Sequence, residues 1–152
     1  MGRKAYTKDL MEREKGEMKE SLRNWGKAMD RFNWKEEELK KANGIYEVQK
    51  NFWRGQHTKR GEKELERIER EYRERAGKLR IEMVEILREK RWMDEMIRGL
   101  TQDEQMFVEF RFEKGYGMEY IGTKMHMSHA SVYRLQAKIL AKLIAKKREE
   151  CD

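Results

Sequence analysis

Three histidines, one cysteine and 29 carboxylates are the side chains here with the widest chemical range, and their placement argues against bond-making chemistry. His57, His126 and His129 have no cysteine or carboxylate around them at metal-ligand spacing, so no metal site is expected. Cys151 has no second thiol to pair with, which excludes an internal disulfide or a redox couple. No glycine-rich run ends in lysine and serine or threonine as a phosphate loop does. No serine or cysteine stands beside a base as an activated nucleophile would. The acidic residues alternate with lysine and arginine at helical spacing, the pattern of a solvated face. Neither catalysis nor a cofactor is expected.

What the residues do support is recognition of a polyanion. Between Ile121 and Arg148 lie Lys124, Arg134, Lys138, Lys142, Lys146, Lys147 and Arg148, with no acidic residue among them. The net charge of +7 is concentrated in the same place: residues 114–148 carry +7, residues 1–113 about +3, and Glu149, Glu150 and Asp152 take three back. A single-sign stretch of this kind attracts phosphate backbones. A membrane surface would need a bulkier apolar face beside it.

The elements that must position these charges are legible from Leu100 to Leu143. Thr101 followed by Glu104 is a capping box that starts a helix, with Phe107, Phe110 and Arg111 on one face. The run Lys114-Gly115-Tyr116-Gly117 stops it. Met118 to Met125 gives a second, two-turn helix with Ile121 inward and Gly122 small enough for close packing. Ser128 caps a third helix running to about Lys147 or Arg148. On this third helix Val132, Leu135, Ile139 and Leu143 form the buried stripe. Ala130, Arg134, Lys138 and Ala141 point outward, a slim basic face of the width a major groove admits. Two helices joined by a short turn, the second one longer, fit the helix-turn-helix pattern.

Leu100-Thr101, Glu104, Val108, Arg111-Phe112, Ile121-Gly122, Ser128, Val132, Lys138, Leu140 and Lys142-Leu143 resemble the promoter-reading region-four domain of bacterial sigma factors over about 45 residues. With the charged helical stretch before it, the whole chain resembles phage-encoded transcription regulators of the RinA and ArpU type. The resemblance implies a late-gene regulator acting on double-stranded DNA in the cytoplasm of a bacterial host, with RNA polymerase as a further partner. It puts His129, Ala130, Tyr133 and Arg134 where base edges are read. Lys124, Ser128, Ser131, Lys138, Lys142 and Lys146 are expected to hold phosphates. Two departures mark this chain. His126 stands where the turn usually has glycine, and of the readers only Arg134 keeps bidentate reach for guanine.

Upstream, the 43% charged content and the absence of proline predict long solvated helices and an all-α chain. Met18, Leu22, Trp25, Met29 and Phe32 recur at spacings of four and three, a short heptad seam. Asn43-Gly44 reads as a helix stop and Arg54 to Gly61 as an exposed basic loop, with Tyr46, Phe52 and Trp53 beside it as base-stacking or hairpin-capping rings. From Glu62 a seven-residue repeat of Leu65, Tyr72, Leu79, Ile86, Met93 and Leu100 predicts one long helix. The expected division is 1–61 for the first helix and loop, 62–99 for the pairing helix of a coiled-coil-like hairpin, and 100–148 for the DNA module. The seams also allow a homo-oligomer. Met93, Met96, Met106, Met118, Met125 and Met127 are expected to fill irregular packing around the last module. Met1 to Met11 has no signal-peptide core and no apolar run reaches membrane-spanning length. The alternative from another class is a small terminase subunit or similar DNA-packaging protein, which a ring-sized molar mass would mark.

Overall fold

A chain without proline, in which charged residues alternate with apolar ones at helical spacing, has few signals that break a helix. The computed structural model accordingly is all-α. It describes the backbone of residues 2–151 and the side chains of residues 8–151. The elements are α1 (Gly2–Gly26), α2 (Ala28–Arg54), α3 (Lys59–Arg98), α4 (Gln102–Val108) with a π-helical extension Glu109–Glu113, α5 (Met118–Lys124) and α6 (His129–Cys151). Among the described residues no helix is long and apolar enough to cross a membrane. The chain forms two compact units, Ala28–Arg88 and the pair of segments Met1–Lys27 with Glu89–Asp152.

Ala28–Arg88 is a helical hairpin of α2 and the first thirty residues of α3. Its seam is set by Ala28, Ile68, Ala76, Leu79 and Ile86, all buried, with Phe32, Leu39, Ala42, Tyr46, Leu65 and Tyr72 half-buried beside them. Tyr46 stacks on Tyr72 with centroids 4.5 Å apart, and the Tyr72 hydroxyl donates to Asn43 Oδ1 at 3.2 Å. Lys35 pairs with Glu82 at 2.6 Å and Arg75 with Glu38 at 3.2 Å. The connection is shorter than the eight residues expected. Only Gly55–Thr58 lie between the helices, and Thr58 Oγ1 accepts from the Gly61 amide at 2.9 Å, capping α3. Asn43-Gly44 does not stop α2, which runs on to Arg54. A mid-helix glycine costs only about 1 kcal/mol relative to alanine, and the seam on either side outweighs it. Tyr46 is committed to Tyr72, so it is not a free base-stacking ring.

The other unit draws its core from both ends of the chain. Met18 and Leu22 of α1, Met93, Met96 and Ile97 of α3 and Leu100 just beyond it pack with Phe107, Val108, Phe112, Met118, Ile121, Val132, Ile139, Leu140 and Leu143. Trp25 Nε1 donates to Asp94 Oδ1 at 2.7 Å. The seam expected to run from Met18 to Phe32 therefore breaks after Trp25. α1 ends at Gly26, where a Cβ would stand 1.8 Å from the Phe112 carbonyl oxygen, and Met29 beyond it is 44% exposed. The break follows from that contact, since backbone meets backbone there and only glycine fits. The boundaries expected at 61/62 and 99/100 accordingly do not separate compact units. Of the methionines expected to fill this region, Met93, Met96 and Met118 are buried, Met125 and Met127 half-buried, and Met106 exposed.

Candidate nucleic-acid interface

Helix α4 opens on the capping box: Thr101 Oγ1 accepts from the Glu104 amide at 3.3 Å, and Glu104 Oε1 accepts from the Thr101 amide at 2.9 Å. One extra residue is then accommodated as a π-turn, with the Lys114 amide bonded to the Glu109 carbonyl at 2.9 Å. The Tyr116 amide reaches the Phe110 carbonyl at 2.8 Å, and the Arg111 guanidinium donates to the Tyr116 carbonyl at 3.0 Å. Gly115, at φ +72°, reverses the chain into α5.

The α5–α6 turn is a complete Schellman motif. The Met127 amide bonds the Gly122 carbonyl at 2.8 Å and the His126 amide approaches the Thr123 carbonyl at 3.4 Å. The residue in the left-handed conformation is His126, at φ +56°, as the sequence required. A Cβ on Gly122 would stand 3.0 Å from the Met127 carbonyl oxygen and 3.1 Å from Val132 Cγ2, so α5 packs onto α6 nearly backbone to side chain. Ser128 Oγ then accepts from the Ser131 amide at 3.2 Å and starts α6.

These contacts fix which face α6 presents. Val132, Ile139, Leu140 and Leu143 are buried and Leu135 half-buried, while His129, Ala130, Tyr133, Arg134, Ala137, Lys138 and Ala141 are exposed. The His129 and Tyr133 rings lie 4.8 Å apart. The Ser128 hydroxyl donates to Ser131 Oγ at 2.8 Å, which in turn accepts from Arg134 Nη2 at 3.3 Å. His129, Ala130, Tyr133, Arg134, Ser128, Ser131 and Lys138 thus share one exposed surface over the first turns of α6.

Three residues expected to hold phosphate are placed otherwise. Lys142 Nζ donates to Glu104 Oε1 at 2.7 Å, so its charge is engaged within the unit. Glu104 is only 2% exposed. Burial alone pushes its carboxyl up, but the hydrogen bonds from Lys142 and Thr101 outweigh that and hold it below the ordinary glutamate range. Lys146 is half-buried, its Nζ 2.8 Å from where a Cβ on Gly99 would stand, against the C-terminal end of α3 where carbonyls favour a cation. Lys124, although exposed, lies over the rings of Phe110, Tyr116 and Tyr120 at 5.8, 6.0 and 5.5 Å. Arg148 also turns to its own unit, pairing with Glu14 at 2.6 Å.

The basic stretch therefore does two jobs. Its N-terminal part faces outward, and its C-terminal part braces α1, α3 and α4. The sequence carried a signal for the Glu104–Lys142 pair, because a capping-box glutamate has a second lone pair to satisfy. Choosing the lysine 38 residues away needed the fold. Comparison with protein-family models, with curated proteins and with solved structures returned no match.

Proposed function

We propose that the chain is a sequence-specific double-stranded-DNA-binding regulator of transcription, acting as a phage or prophage late-gene activator, with α5 and α6 as its helix-turn-helix. The observation that carries this reading is the exposed first half of α6, where Arg134, Tyr133, His129 and Ala130 stand together on a slim face with Lys138 one turn on. A helix of that profile enters a major groove by its N-terminal turns. Arg134 is the guanine reader, and Tyr133 and His129 sample neighbouring base edges. Ser128, Ser131 and Lys138 fix register on phosphates. The resemblance to sigma region four supports RNA polymerase as the second partner.

Selection from a random duplex pool at near-physiological salt tests this reading, because low salt would retain DNA on charge alone. The expected result is a compact enriched motif. Arg134→Ala then costs roughly 1–3 kcal/mol on that motif and little on random DNA. With Lys142, Lys146 and Arg148 turned inward, the slope of log K against log salt should be about −3 to −4 per chain, where all seven basic residues of the stretch would give about −6. Retention without a motif, or an Arg134→Ala loss equal on all sequences, would refute base reading.

A further inference from the structure

Helix α2 carries two apolar stripes, and α3 covers only one. The second consists of Trp34, Ile45, Val48 and Phe52, which are 57–71% exposed, and on a helical wheel it faces away from the seam with α3. A helix apolar on two sides is one that is covered on two sides. Its centre is Gly44, which has nothing within 4 Å, so nothing within the chain requires a glycine there despite its helix cost of about 1 kcal/mol. Close approach of another helix does require it.

We infer that α2 is a homodimer interface, in which it packs antiparallel on the α2 of a second copy of this chain, crossing beside Gly44. The stripe is self-complementary, as a two-fold interface must be. Antiparallel pairing centred between Asn43 and Gly44 brings Trp34 of each copy beside Phe52 of the other at both ends. It also sets Lys40 against Glu47 twice, on the same flank. Both of these side chains are solvent-facing, with only neighbours on their own helix as partners, Glu36 and Glu37 for Lys40 and Lys50 for Glu47. Lys41, the charged member of the stripe, is long enough to carry its ammonium past the edge to water. This pairing is independent of whether the chain binds DNA.

The test is sedimentation of the full chain across the micromolar range, with circular dichroism to follow folding. The wild type should sediment at twice its 18.6 kDa chain mass. Val48→Glu, at an exposed position, should leave helix content unchanged and give a monomer. Lys40→Glu should weaken the dimer about tenfold by placing like charges opposite each other twice, and Lys40→Glu combined with Glu47→Lys should restore it. A monomeric wild type would overturn the inference, and so would an assembly of any size that survives Val48→Glu. Failure of the double swap to rescue the single one would overturn the antiparallel register on which it rests.

Discussion

At the scale of the residue, Lys142 is the instructive case. Its ammonium is 41% exposed while the carboxylate it meets is almost wholly enclosed, so the pair is asymmetric: Glu104 depends on Lys142 far more than the reverse. Glu104 Oε2 has no partner among the described residues, which leaves Oε1 to carry the compensation for burial. Lys142→Ala should therefore lower stability by about 2 kcal/mol, toward the low end for a broken buried pair because water can reach the vacated site. It should leave the salt slope of DNA binding unchanged, whereas Lys138→Ala should lower that slope by about one with stability intact. The pH dependence follows in sign. A carboxyl held below its ordinary range stabilises the fold above that range, near pH 4.3, and loses the contribution as pH falls through its native value. The stability gap between wild type and Glu104→Gln should thus be full at pH 7 and close on acidification, as chemical denaturation at a series of pH values would show. A gap independent of pH would mean that the charge contributes nothing.

At the scale of the element, the three C-terminal helices were legible because each boundary has a local chemical cause: Thr101 with Glu104, Gly115 and Ser128 act within four residues of themselves. His126 was legible for the same reason, as the one residue in the turn placed where glycine belongs. The ends of α1 and α2 were not. Asn43-Gly44 has the composition of a stop and is overruled by a seam whose members include Ala28, Ala42 and Lys35, too small or too polar to register as a stripe. Gly26 ends α1 through a carbonyl 86 residues away, which no window of sequence contains. Two glycines of this one helix make the point measurable. Gly26→Ala should destabilise by about 2–3 kcal/mol through overpacking against Phe112. Gly16→Ala, with open space around it, should stabilise by about 0.5–1 kcal/mol through helix propensity. Midpoints of urea unfolding compare the two directly, and equal shifts would show that the Phe112 contact yields easily.

At the scale of the whole molecule, the sequence division into thirds failed at 99/100 because continuity along a chain is a poor guide to who shares a core. Leu100 begins the recognisable motif, yet Met18, Leu22, Met93, Met96 and Ile97 are buried with it. A fragment of residues 100–152 should therefore lack part of its own interior. It is expected to keep helical far-ultraviolet dichroism, bind a hydrophobic dye and unfold without a sharp transition, the marks of a loosely packed state. The full chain should unfold its C-terminal helices cooperatively with α1. A fragment as cooperative as the full chain would show that α1 and the end of α3 only decorate the domain.

The split unit also sets an order of events during synthesis. Helix α1 is the first segment made, but its partners on α4 and α6 emerge last, and closing an unstructured loop over residues 28–88 to reach them would cost roughly 3–4 kcal/mol of chain entropy. The hairpin within that span is built of local contacts and can close early. Once it has, the long loop is already shortened to the mouth of the hairpin. The segment synthesised first is thus docked last, at a cost its own insertion has largely removed.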